Sequence, residues 1–146
     1  MEPGTLAVFI DTSVLFAASD SARGASREII HHAQRGQLLL VLNKFVLLET
    51  AKNLAAKRPQ ALPAFETIQA IIPFQIVDPT RDEVLQMQPH TAFKDAPHFA
   101  TALKARVDYL VSLDRRHMIE IREQVYADLG LRILLPAELL DELRRR

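Results

Sequence analysis

The chain has no cysteine among its 146 residues, which excludes disulfides and thiolate-bound zinc and fits a cytoplasmic address. It also has no excess of either charge: 18 Lys and Arg balance 18 Asp and Glu. Phosphate contacts dominate nucleic-acid affinity, so this neutrality argues against a tight, non-specific nucleic-acid binder. It still leaves room for a basic rim around an acidic centre, because the distribution of charge matters as much as its sum. No apolar run reaches the roughly 20 residues of a bilayer-crossing helix, so no membrane association is expected. Met1-Glu2-Pro3-Gly4 lacks the basic flank and cleavage site of a secretory signal. No repeat, low-complexity tract or Gly/Ser-rich linker divides the sequence, and residues 1–146 read as one domain. With 49% hydrophobic and 25% charged residues, that domain has the composition of a soluble globular protein.

What is present is an alternation of apolar runs with helical patterns. Continuous apolar stretches predict strands at residues 6–10, 38–42, 74–77, 109–113 and 131–135. Between them, helices are expected over 14–18, where Thr12 and Ser13 offer helix-start chemistry, then over 25–35 ending at Gly36, and over 44–57 capped by Asn43. Further helices are expected over 64–72, over 81–87 capped by Asp78-Pro79-Thr80, from Asp95 onward, over 115–129 ending at Gly130, and from Pro136. This order points to a three-layer α/β/α sandwich around a mainly parallel sheet, with right-handed crossovers placing helices on both faces. In such sheets, sites form outside the carboxyl ends of the strands.

Four carboxylates stand out against this framework. Asp11 closes the first strand and Asp114 the fourth, so both lie at carboxyl ends. Asp11 reads equally as a helix cap and as a metal ligand on a rigid strand, with the Thr12 and Ser13 hydroxyls able to orient it. Glu49 shares a helix with Phe45 and Val46 and borders their apolar stripe. As a half-buried carboxylate it wants a cation, either a metal or Lys52. Asp95 precedes Ala96-Pro97-His98-Phe99 and is explained fully as an N-cap, although it shares the inward side of the helix with Phe99. No histidine is assigned to chemistry: His31 and His32 point apart, His90 and His98 lack ligand spacing, and His117, although it could approach the site, reads as a helix-surface residue.

The ordered set resembles the PIN-domain nucleases, and among them the VapC-like toxin ribonucleases. Ile10-Asp11-Thr12-Ser13-Val14-Leu15 is similar to the family's opening motif, and Leu47-Leu48-Glu49 followed by Leu54 to its glutamate-bearing helix. Lys94-Asp95-Ala96, Ala100-Thr101-Ala102-Leu103 and Asp108-Tyr109-Leu110-Val111-Ser112-Leu113-Asp114 resemble its third and fourth acidic blocks. Residues 133–140 resemble its last strand and helix. The resemblance implies that Asp11, Glu49, Asp95 and Asp114 are catalytic, with Asp11, Asp95 and Asp114 binding Mg²⁺ or Mn²⁺. It implies hydrolysis of RNA phosphodiesters, a cognate antitoxin as partner, and a homodimer. Ser112 stands where the family often has Thr or Asn and keeps a hydroxyl. Arg115 and Arg116 stand where some members carry another acid, which leaves one or two ions open.

Candidate substrate cations are Arg115, Arg116 and Lys94, followed by Arg23, Lys44 and Lys52. Two other acidic-pocket folds fail on their residues. A phosphoacceptor receiver needs an acidic pair at the first strand and a late lysine, and a haloacid-dehalogenase phosphatase needs Asp-x-Asp where this chain has Asp11-Thr12-Ser13. The remaining alternative is a catalytically silent PIN-like module that binds RNA or protein.

Overall fold

A computed structural model describes residues 4–146, so the reading of Met1 to Pro3 lies outside the described residues. Five parallel strands form the centre, β1 (Leu6–Ile10), β2 (Leu38–Leu42), β3 (Gln75–Ile76), β4 (Tyr109–Val111) and β5 (Ile133–Leu134), in the spatial order β3-β2-β1-β4-β5. Every residue of β1 is buried, as its unbroken apolar run requires of a strand covered on both faces. The outer strands β3 and β5 are shorter than the apolar runs that announced them, because only two residues of each pair with a neighbour.

The helices are α1 (Thr12–Asp20), α2 (Ala25–Gln34), α3 (Lys44–Lys57), α4 (Leu62–Ile71), α5 (Arg81–Met87), α6 (Ala96–Lys104), α7 (Arg122–Leu129) and α8 (Pro136–Arg144). The chain moves outward from β1 to β3, then crosses back to β4 on the other side of β1. Right-handed connections therefore put α1 to α4 on one face and α5 to α7 on the other, and α8 returns to pack on α2. The result is the expected α/β/α sandwich. Its strand order reverses between β1 and β4, which is where open parallel sheets leave a crevice at their carboxyl edge.

Local chemistry sets most boundaries. Gly36 and Gly130 take positive φ after α2 and α7, the left-handed stop that glycine makes without strain. Thr80 and Glu83 close a reciprocal capping box on α5. Two details beside the strand ends bear on the site. Asp11 itself caps α1, accepting from Val14 N at 3.2 Å, so the helix begins at Thr12 rather than after Ser13. Residues 115–129 are not one helix: a π-turn over Arg115–Ile119 precedes α7, with Glu120 N bonding back to Arg115 O at 2.8 Å. Such i to i+5 turns are rare and concentrate at functional sites.

Asn43 joins three elements. Its Oδ1 caps α3 by accepting from Val46 N at 3.0 Å, and its Nδ2 donates to Thr101 Oγ1 on α6 at 3.1 Å. The residue is fully buried, so losing it removes the cap and strands polar partners. Asn43→Ala is expected to lower the unfolding free energy by about 2–3 kcal/mol, a cap plus a buried hydrogen bond. Urea unfolding measures this, and a loss too small to resolve would remove Asn43 from its structural role.

Candidate active site

The parallel register sets Ile10 beside Val111, and the next residues, Asp11 and Ser112, meet at the crevice. Ser112 Oγ donates to Asp11 Oδ2 at 2.5 Å, and Ser13 Oγ donates to Asp11 Oδ1 at 2.5 Å. Each serine also accepts a backbone N–H from the loop after β4: Leu113 N reaches Ser13 Oγ and Asp114 N reaches Ser112 Oγ, both at 3.0 Å. The two hydroxyls thus clamp the Asp11 carboxylate from both sides and tie the loop bearing Asp114 to β1 and α1. Burial pushes the Asp11 carboxyl above its ordinary value in spite of these donors. Thr12, also buried, has a hydroxyl without a partner.

Asp95 behaves differently from an N-cap. A 3₁₀ turn over Phe93–Asp95 runs straight into α6, so Asp95 has helical dihedrals and makes no side-chain cap bond. A cap requires an extended residue whose oxygen can turn back to the helix amides. Released from that task, the carboxyl is 6% exposed and its Oδ2 has no hydrogen-bond partner. Burial, opposed by Lys94 and reinforced by the Asp11 and Asp114 charges, raises it to about 6. Asp114 is the opposite case. Burial would raise it, but the His117 backbone N–H at 2.9 Å, Lys94 Nζ at 3.3 Å and His117 Nδ1 at 3.2 Å outweigh that and hold it below its usual range. His117 is therefore a neighbour of the acids, the approach to the site that its sequence position allowed beside a helix-surface reading.

These three acids line one cleft of about 340 Å³ together with Thr12, Ser13, Phe16, Glu49, Asn53, Lys57, Lys94 and His98. Glu49 reaches the cleft, but it is exposed rather than half-buried and has no ion pair with Lys52. Its helix position lies at the open lip, one residue from the buried stripe of Val46, Thr50 and Leu54. Lys94 is in the cleft. Arg115 and Arg116 lie exposed on the π-turn, outside the cleft lining, and Arg23, Lys44 and Lys52 are likewise exposed residues that do not line it. Asn53, Lys57 and His98 are cleft residues that sequence reasoning did not assign. Asn53 and Lys57 fall on the helical face of Glu49, at i+4 and i+8, and that spacing was the available signal.

The donor set consists of carboxylate oxygens with hydroxyl support, the chemistry of a hard divalent cation. Among the described residues, no three Asp, Glu or His side chains already form a closed cage. An ion of the Mg²⁺ class keeps several waters, so carboxylates that stand apart can hold it directly or through a bound water. The partnerless Asp95 Oδ2 is the observation that fits such an ion most directly.

The acids carry a pH signature of their own. The Asp95 carboxyl titrates near 6 in the folded chain against an ordinary 3.8. Between these values the folded state holds a proton that the unfolded state releases, so this group's contribution to stability is present at low pH and lost as pH rises through about 6. Asp95→Asn should therefore raise the melting temperature at pH ~7.5 and leave it nearly unchanged at pH ~4, where both side chains are neutral. Buried His98, pushed down to about 4, destabilises the fold of both proteins as pH falls below its ordinary 6.5, so it cancels in the difference. Equal effects of Asp95→Asn at both pH values would contradict this account.

The family model described as the PIN domain matches residues 7–116 of the chain. No curated protein sequence matches it. Among solved structures, PAE2754 of Pyrobaculum aerophilum is similar with a TM-score of 0.67 and 19% identity, covering 97% of this chain and 98% of that one. The Mycobacterium tuberculosis toxin VapC20, described as cleaving the sarcin–ricin loop, is similar with a TM-score of 0.52 and 21% identity over 75% of this chain and 91% of that one. VapBC2 of Rickettsia felis, solved with a DNA fragment of its promoter, is similar with a TM-score of 0.62 and 10% identity over 89% of this chain and 98% of that one. The family match takes in β1 through the loop after β4, and so every acid of the cleft. The chain belongs to the PIN-domain family.

Proposed function

We propose that this chain is a Mg²⁺- or Mn²⁺-dependent endoribonuclease and the toxin of a toxin–antitoxin pair. The observation that carries the reading is the meeting of Asp11, Asp95 and Asp114 in one cleft with an oxygen of Asp95 left unpartnered. Asp11, Asp95 and Asp114 would hold the ion. When bound, the ion supplies charge neutralisation at the phosphoryl oxygens and acidifies water.

The chain's own residues do the remaining work. Ser13 and Ser112 fix the Asp11 carboxylate so that it does not have to reorganise as charge develops. Glu49, at the lip, is an acceptor for a proton from the attacking water. Lys94 and Lys57 on the cleft walls offer positive charge to the phosphates on either side of the scissile bond. Water attacks phosphorus as the bond to the 3′-oxygen breaks, leaving a 3′-hydroxyl and a 5′-phosphate. The route uses no ribose 2′-hydroxyl.

The partner side of the proposal, a cognate antitoxin and a homodimer in the cytoplasm, extends the family resemblance of the sequence; of the structural neighbours, VapC20 is a toxin and VapBC2 was solved on promoter DNA. Exposed Leu48 and Phe45 on α3 provide apolar surface for a protein partner. Among the described residues, no helix is long and apolar enough to cross a membrane.

With Mn²⁺ and single-stranded or loop-containing RNA, wild type should cleave, and Asp11→Asn and Asp95→Asn should each lose at least about 100-fold, as removal of a central electrostatic group does. Chelation should abolish cleavage. Wild type and both variants being equally inert across varied RNAs with metal would leave the silent-module alternative standing in place of the nuclease.

A further inference from the structure

His98 lies one helical turn beyond Asp95 on α6 and lines the same cleft, yet the steps above give it no task. It is 5% exposed, its ring tilted against Phe9 with centroids 5.4 Å apart. Its polar surroundings fix one tautomer. Asn43 Oδ1 accepts the Val46 N–H at 3.0 Å, so the Asn43 amide must turn its nitrogen, a pure donor, toward α6. That nitrogen lies 3.1 Å from Thr101 Oγ1, 3.2 Å from His98 Nδ1 and 3.4 Å from Pro97 O. Thr101 gives its own proton to Val77 O at 2.9 Å, which leaves its oxygen to accept from Asn43. His98 Nδ1 therefore meets an N–H and is the unprotonated, accepting nitrogen. The proton of the neutral ring sits on Nε2, which has no hydrogen-bond partner among the described residues.

A packing role accounts for the ring and for Nδ1, but not for a partnerless donor in a cleft. Asp11, Asp95 and Asp114 present carboxylate oxygens to the same cleft, and these repel the oxygens of a phosphate. Nε2–H is a neutral donor that makes no hydrogen bond to these acids, so it remains available to a substrate oxygen. Burial, which pushes His98 down to about 4, keeps it in that neutral form.

We propose that His98 contacts the substrate, donating a hydrogen bond from Nε2 to an oxygen of the nucleotide seated in the cleft, with Asn43 as the positioning residue that holds the donor tautomer. The proposal rests on the nuclease reading. The acceptor is a ribose 2′-oxygen or a phosphate oxygen, which share this chemistry.

Two measurements test it. In the ¹⁵N spectrum of wild-type imidazoles, His98 should show Nδ1 unprotonated and Nε2 protonated, and a short single-stranded RNA added with chelator should shift Nε2. The opposite tautomer, or an unmoved Nε2, overturns the proposal. In cleavage assays with Mn²⁺, His98→Phe keeps the ring shape without the donor and should lose about ten-fold in kcat/KM, whereas His98→Gln, whose amide nitrogen reaches the Nε2 position, should stay within about three-fold. Equal loss in both variants means a structural role and overturns it as well. A 2′-deoxy nucleotide at the cleavage position reads the acceptor: a penalty that vanishes in His98→Phe assigns the 2′-oxygen, and an additive one assigns the phosphate. A wild type inert on every RNA defeats the nuclease reading, and the ring spectrum then decides separately whether Nε2 meets RNA.

Discussion

The cleft depends on one constraint: an Asp11 carboxylate held out of water at the end of the central strand. A buried carboxylate without donors costs several kcal/mol, and this one is 5% exposed. Ser13 and Ser112 each meet one of its oxygens, then accept the amides of Leu113 and Asp114. The same two hydroxyls therefore offset the burial of Asp11 and set the path of the loop that carries Asp114. β1, α1 and the end of β4 are cross-braced through a single side chain. Because β1 and β4 flank the reversal of strand order, the brace also lies at the natural crevice of the sheet.

Much of this was legible in the sequence because it depends on local chemistry. Leu6 to Ile10 and Leu38 to Leu42 could only be buried strands, and Asn43, Thr80, Gly36 and Gly130 mark helix ends by their own hydrogen bonds or dihedrals. Caps and cluster were posed as alternatives for the acids, and for two of them that opposition is false. Asp11 caps α1 and Asp114 caps the π-turn while both line the cleft. A carboxylate has two oxygens with several lone pairs, so capping one amide does not exhaust it. Asp95, the residue that capping explained best, makes no cap at all, because the 3₁₀ turn before it alters its backbone.

What stayed hidden depends on long-range packing. Glu49 looked half-buried from its neighbours Phe45 and Val46, but Phe45 is itself exposed, so the apolar stripe is narrower than the sequence suggests. His117 meets Asp114 because Asp114 caps the turn that follows it and accepts from the backbone N–H and the ring of residue 117. His98 had no ligand partner in sequence, since its partner is an asparagine 55 positions away on another helix's cap. Period and spacing arguments see one element at a time. The exposure of Glu49 and the partner of His98 are set by how elements pack, whereas His117 follows from a cap within one turn.

In the proposed reading, Lys94 lets a neutral chain bring a polyanion to an acidic cleft. Its ammonium sits 3.3 Å from Asp114 Oδ2, yet the lysine side chain is 58% exposed. Pairs this open to solvent contribute between nothing and about 1 kcal/mol, so Lys94 is a loosely held counter-charge. In the proposed reading, a divalent ion on the acids removes what binds it and frees it for phosphate. With Lys57 also lining the cleft, positive charge would then accompany the substrate while the acids keep the ion. Local placement of a few charges suffices for this, and the zero net charge of the whole chain limits adhesion of nucleic acid elsewhere on its surface.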